Sequence, residues 1–243
     1  MALLECSGLG IAFGGAQVLN DVSITAEAGT VTGLIGPNGA GKTTLFNCVT
    51  GLLHPQSGTV RLDGDDISSL SPFRRTRRGI ARTFQRLELF SSLSVRDNLR
   101  VAGELSHRWH TERLNVEFEA ERVLIQLGIA HLADREVTEI PTGMARRVEV
   151  GRALMTQPRI LLLDEPASGQ DETETEEFGD LLVRLAQMGT AILLVEHDVS
   201  LVMRVCSFVH VLDFGRIVAG GTPDEVQRNS AVLDAYLGAG PSA

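Results

Sequence analysis

Residues 36–43, Gly36-Pro37-Asn38-Gly39-Ala40-Gly41-Lys42-Thr43, fit the pattern GxxxxGK[ST]. They stand between an apolar run, Val31 to Ile35, and a helix-like stretch through Leu45 to Val49. Strand, glycine-rich loop and helix in that order wrap backbone N–H groups around a chain of phosphates, and the helix N-terminus adds a favourable dipole. Lys42 is then placed to reach the terminal phosphates, and the Thr43 hydroxyl, with Thr44 beside it, to meet Mg2+. Lys42 is also the single lysine among 22 basic residues. A compact ammonium fits between phosphate oxygens where a planar guanidinium is too wide, so here arginine cannot easily stand in.

Two further apolar runs end in polar chemistry. Ile160-Leu161-Leu162-Leu163-Asp164-Glu165 closes with two carboxylates, at the sheet edge where a phosphate loop also lies. Asp164 is the candidate to hold the Mg2+ shell through water, and Glu165 the general base that polarises an attacking water. Ala191 to Val195 ends in Glu196-His197-Asp198. If the two strands are adjacent, His197 reaches the γ-phosphate or the water and contacts Glu165, stabilising charge that develops in transfer. Gln85, in Thr83-Phe84-Gln85, is a candidate Mg2+ ligand that also reports on a bound partner. Phe13, ahead of Gly14-Gly15, is either a stacking surface for adenine or a core residue.

The elements that must position these residues are legible in the hydrophobic pattern. Leu3 to Phe13, Val18 to Thr25, Val31 to Ile35 and Thr59 to Leu62 read as strands between Gly, Asn and Asp turns. From about Leu87 to Leu154 the spacing becomes helical, as in Val123, Leu124, Leu127, Ile129 and Leu132. Ile160 to Leu163 and Ala191 to Val195 read as buried parallel strands joined by a crossover helix, Glu172 to Met188. Phe208 to Leu212 and Ile217 to Ala219 form a hairpin, followed by a last helix near Ala231 to Leu237. The expectation is one α/β unit: a core with an N-terminal antiparallel β subdomain, residues 1–86 and 155–243, and an inserted helical subdomain, 87–154.

Composition narrows the function. With 22 basic against 31 acidic residues the net charge is −9, which argues against a general nucleic-acid binder. The cluster Arg74, Arg75, Arg77, Arg78, with Arg82 close behind, lacks interleaved aromatics and is expected to be a solvated helix face. Cys6, Cys48 and Cys206 are too dispersed for a zinc site or a disulfide framework, as suits a reducing cytoplasm. No apolar run approaches the roughly 18–20 residues of a membrane span, and the start MALLECSGLG lacks a basic stretch before an apolar one. Any membrane role must therefore pass through a partner.

Aromatic, phosphate loop, glutamine, helical lobe, Asp-Glu strand and histidine follow one another as in ABC (ATP-binding cassette) transporter ATPases, and the resemblance covers almost the whole chain. Asp171, in Ala167-Ser168-Gly169-Gln170-Asp171, matches that family's aspartate loop. Gly79-Ile80-Ala81-Arg82-Thr83-Phe84-Gln85, Val195-Glu196-His197-Asp198, Gly221-Thr222-Pro223 and Ala235-Tyr236-Leu237-Gly238 look like the branched-chain amino acid importer ATPases and their urea or amide relatives. The family's signature, usually Leu-Ser-Gly-Gly-Gln, maps onto Ile140-Pro141-Thr142-Gly143-Met144 and keeps only the second glycine. Pro141 supplies neither hydroxyl nor N–H, and Thr142 is the substitute hydroxyl.

The resemblance implies a P-loop NTPase core with a mostly parallel sheet, ATP and Mg2+ as ligands, and a head-to-tail dimer. In that dimer Thr142, Gly143 and Met144 of one subunit face the nucleotide held by the other. It also implies a peripheral place on the cytoplasmic face of the membrane, with permease subunits and, indirectly, a substrate-binding protein. The altered signature points to a different, fuller cassette as dimer partner. A small GTPase is excluded because its guanine-reading segment needs a second lysine. A nucleoside kinase is disfavoured because no Arg-rich lid follows the loop. A non-transport ABC ATPase typically carries tandem cassettes or coiled-coil insertions, which this length leaves little room for. A regulatory cassette with slow hydrolysis is the remaining alternative.

Overall fold

The computed structural model describes residues 2–107, 115–229 and 232. Strands β1 (Ala2–Phe13) and β2 (Ala16–Glu27) pair antiparallel around the tight turn at Gly14-Gly15. β3 (Val31–Ile35) leads through the phosphate loop into α1 (Lys42–Thr50), and β4 (Ser57–Leu62) with β5 (Asp65–Asp66) returns to the antiparallel sheet, whose order is β2-β1-β4-β5. The short α2 (Pro72–Arg77) precedes β6 (Ile80–Arg82). The α-helices α3 (Val95–His107), α4 (Val116–Gln126) and α5 (Thr142–Leu154) follow, within the stretch where helical spacing was expected.

β7 (Ile160–Asp164), α6 (Glu172–Gln187), β8 (Ala191–Val195), α7 (Val199–Val205), β9 (Phe208–Asp213), β10 (Arg216–Gly221) and α8 (Pro223–Gln227) complete the described chain. The second sheet has the order β10-β9-β3-β8-β7-β6 and is parallel except for the β9–β10 hairpin. The helix expected near Ala231 to Leu237 lies outside the described residues, Val232 excepted.

The parallel strands read as unbroken apolar runs because both faces are covered. On β7, Ile160 and Leu162 join the antiparallel sheet and α1, while Leu161 and Leu163 turn to α6 and the helical lobe. β8 divides likewise: Leu193 faces one core and Leu194 the other. Each fully buried Leu or Ile contributes roughly 1.5–3 kcal/mol, so the strands are fixed from both sides and their carboxyl ends become a rigid edge. Register aligns that edge, since Leu34 and Asp164 both pair with Val195 and Arg82 pairs with Leu162.

One expectation needs correction. The arginine cluster is not a solvated face throughout, because Arg75 is 0% exposed. Its guanidinium donates to four carbonyls, those of Cys48, Val49, Ser68 and Leu70. Two of these carbonyls lie in the last turn of α1, where Cys48 O also accepts the N–H of the C-cap Gly51, so a buried arginine completes the C-terminal cap of the phosphate-loop helix.

Candidate functional site

The site is assembled at the carboxyl edge of the parallel sheet. The phosphate loop leaves β3 at Gly36, whose bare Cα is required because a Cβ there would overlap the Leu212 carbonyl. Gly41 has φ +110°, a left-handed conformation that side chains avoid, and ends the loop without a side-chain cap on α1. The first N–H groups of α1 are thus left to a ligand rather than to a neighbouring side chain. Gly36 and Ala40 are buried, Pro37 is half-buried, and Asn38 and Gly39 are exposed on the rim. Thr43 is exposed and Thr44 half-buried in the first turn.

Lys42 folds back under the loop, its ammonium donating to Gly36 O at 2.5 Å and Pro37 O at 3.1 Å. Burial lowers its pKa from the ordinary lysine value, while Glu165 and Asp164 pull it back up. A buried cation at the foot of a glycine-rich loop that opens a helix is an arrangement suited to an anionic phosphate chain. Among the described residues no three His, Cys, Asp or Glu side chains are grouped to hold a metal by themselves. The oxygen donors Thr43, Gln85 and Asp164 suit Mg2+ nevertheless, because that ion takes few protein oxygens and completes its shell with water and phosphate.

Glu165 sits just past β7 with φ +50°, a left-handed conformation uncommon for a residue with a side chain. Its N–H is tied to Val195 O at 2.9 Å, and its side chain is 17% exposed. The carboxylate meets His197 Nε2 at 2.6 Å through Oε1 and accepts Gln85 Nε2 at 2.9 Å through Oε2. Two residues, one following β6 and one following β8, therefore converge on the carboxylate that follows β7.

Glu196, quoted in the sequence but given no role there, underpins the arrangement. Its buried carboxylate accepts Ala167 N at 2.8 Å and His197 N at 3.1 Å, joining the loops that follow β7 and β8. Burial pushes its pKa up, and the two N–H bonds oppose that shift. Asp198 caps α7 by accepting Leu201 N. Gln85 is held from the helical lobe: Arg146 of α5 donates to Gln85 O at 2.8 Å, and Glu149 accepts Phe84 N at 3.3 Å. The sequence alone assigned neither α5 residue a role, and the signal that could have found them is the presence of charged residues on a helix otherwise buried.

Phe13 is 47% exposed at the end of β1, which settles the two readings against core packing. Val18 and Leu19, just after the hairpin turn, pack against Gly41, so the turn carrying Phe13 borders the phosphate loop.

Thr142, Gly143 and Met144 open α5 after Pro141 and stand in a separate group with Asp171, which caps α6 through Glu174 N. The Glu174 carboxylate closes that capping box and also lies against Gly143, where a Cβ would sit 3.2 Å from it.

A family model described as "ABC transporter" matches residues 19–168, and a second, described as "Branched-chain amino acid ATP-binding cassette transporter", matches residues 216–241. The high-affinity branched-chain amino acid transport ATP-binding protein BraF of Pseudomonas aeruginosa is 38% identical over 97% of this chain and 98% of its own. The lipopolysaccharide export system ATP-binding protein LptB of Escherichia coli is 36% identical over 98% of both chains. Among solved structures, MJ1267, an ATP-binding cassette of an ABC transporter in its ADP conformation, superposes with a TM-score of 0.88. It is 31% identical and is matched over 98% of this chain and 99% of its own.

Proposed function

The chain belongs to the ABC transporter family, and from that membership we propose that it is the ATP-hydrolysing subunit of a membrane importer for branched-chain or other hydrophobic amino acids. The observation that carries the reading is the convergence of His197 and Gln85 on Glu165 beside the phosphate loop. The match of residues 216–241 to the branched-chain family, together with BraF, favours import over the export served by LptB.

ATP is the substrate. Loop amides and Lys42 hold its phosphates, and Phe13 offers a face to the adenine. Glu165 takes the proton of the attacking water as that water approaches the γ-phosphate in line, and His197 steadies the charge that develops. Gln85 orients the base by its amide. Thr43, Gln85 and Asp164 would hold Mg2+, which when bound neutralises phosphate charge. Replacing Lys42 by alanine tests the assignment: ATP affinity of the purified chain should fall at least about tenfold, a loss of about 1.4 kcal/mol. Unchanged affinity would overturn it.

Two cassettes close head to tail around two ATP molecules in this reading, with Thr142, Gly143, Met144 and Asp171 turned to the partner's nucleotide. Since Pro141 lacks the donors of the usual signature, the partner is a different chain with a fuller one, and the site completed by Pro141 is the slower. Equal turnover at both sites of a purified heterocomplex would contradict the asymmetry.

No helix among the described residues is long and apolar enough to cross a membrane. In this reading permease subunits supply the membrane path, and the chain sits peripherally on their cytoplasmic side. A cavity of about 340 Å³ lies between α1, α2 and β6 on one side and α3 and α5 on the other, lined by Leu52, Pro72, Phe84, Leu105 and Arg152 among others. It is the natural seat for a permease segment, because Phe84 in its wall is the neighbour of Gln85.

A further inference from the structure

Arg82 closes β6 with its guanidinium between two aromatic rings, 5.4 Å from the centroid of Phe46 and 5.1 Å from that of Phe84. Nη1 donates to Asn47 Oδ1 at 2.6 Å, on the helix of the phosphate loop, and Nη2 to Asp164 Oδ2 at 2.8 Å. Both members of the Arg82–Asp164 pair are 7% exposed, and Arg82 Nε has no hydrogen-bond partner. The guanidinium is thus fixed from two sides while bonded to the carboxylate that stands next to Glu165.

Resting on the reading of the loop as a nucleotide site, we propose that Arg82 is a resident counter-ion for Asp164 that competes with the divalent cation accompanying ATP. A fixed positive charge bonded to the same carboxylate repels an incoming divalent ion, and in a site this shielded from water the repulsion is weakly screened. Asp164 already neutralised by Arg82 has little draw for a bare cation. Phosphate oxygens restore the draw by adding negative charge, so cation and nucleotide enter together. Asn47 and the two rings stop Arg82 from swinging aside on its own. Arg82 and Phe84 also line the 340 Å³ cavity, so whatever fills that cavity bears on the side chain that holds Asp164.

Mn2+ titrated into the whole chain without nucleotide, with free ion read by electron paramagnetic resonance, tests the competition. Arg82→Gln should bind Mn2+ at least tenfold more tightly than the wild type, and Mn2+ should raise its melting temperature more than it raises that of the wild type. Arg82→Lys, which keeps the charge, should behave as the wild type, and adding Asp164→Asn to Arg82→Gln should abolish the gain. A gain of affinity is not an effect that simple loss of packing produces. Arg82→Met fills the space between the rings and decides the matter if the glutamine variant does not fold. Mn2+ affinity equal to or weaker than that of the wild type in the neutral variants, with ATP binding intact, would overturn the counter-ion role alone. Failure of the wild type to bind ATP would remove the nucleotide reading and this proposal with it.

Discussion

His197 Nε2 stands 2.6 Å from Glu165 Oε1, although the two residues belong to different strand ends and lie 32 positions apart. Adjacent parallel strands in matched register bring them together, and Glu196 locks the two loops by accepting from Ala167 N and His197 N. The contact is held by backbone on both sides, as preorganised charge stabilisation requires.

His197→Ala should therefore lower kcat for ATP by about 10²–10³-fold while shifting KM much less, because in the proposed mechanism the imidazole acts on developing charge rather than on ground-state binding. Steady-state kinetics on the complete transporter measure both constants. A change confined to KM would show that His197 only binds.

Arg75→Met should destabilise the fold without touching the nucleotide. Four carbonyls, two of them buried, would lose the arginine, and among the described residues only Cys48 O keeps a second donor, Gly51 N, at a cost of roughly 3 kcal/mol, equivalent to a fall in Tm of roughly 6–12 °C in a chain of this size. Differential scanning calorimetry reads the loss. ATP affinity measured well below the transition should stay within about threefold, a change of less than 1 kcal/mol.

Much of the placement of the candidate site was legible because its motifs are local. The phosphate loop, the Asp164-Glu165 pair and His197 each follow an apolar run that can only be a buried strand, so their shared edge follows from the parallel topology. Arg75 and Arg82 were not legible. Their roles come from carbonyls and a carboxylate far along the chain, and the same arginines on a surface helix would have had the same local sequence. β6 escaped notice as a strand because three residues carry no periodicity. Glu149 and Arg146 lie on a helix whose faces are nearly all buried, which blurs the amphipathic signal that would separate core from contact residues.

Acid should weaken the fold partly through His210. Burial holds its pKa below the ordinary 6.5, and the bond to the Thr25 carbonyl only partly offsets that. The unfolded chain then binds a proton that the folded one resists, so this contribution is full above pH 6.5 and is lost as pH falls through the folded value. Melting temperatures between pH 5 and 7.5 should slope less in His210→Gln than in the wild type, on the order of one titrating group's worth. Parallel slopes would assign the acid sensitivity elsewhere.

Leu105, 53% exposed in the wall of the cavity between the core and α3, should matter to partners and not to nucleotide. Leu105→Glu places a charge in the cavity proposed to seat a permease segment and should weaken association with the permease subunits about tenfold or more, while ATP affinity of the free chain stays unchanged. Co-purification of the complex alongside a nucleotide titration separates the two.

Glu165→Gln gives the most direct test, with ATP turnover and ATP binding measured side by side on the same preparation. The amide keeps the shape and the contact with Gln85 but cannot accept a proton, so turnover should fall by at least about 10²-fold while ATP binds as tightly as in the wild type. Turnover close to that of the wild type would show that the water is activated elsewhere, and the catalytic role assigned to this carboxylate would be wrong.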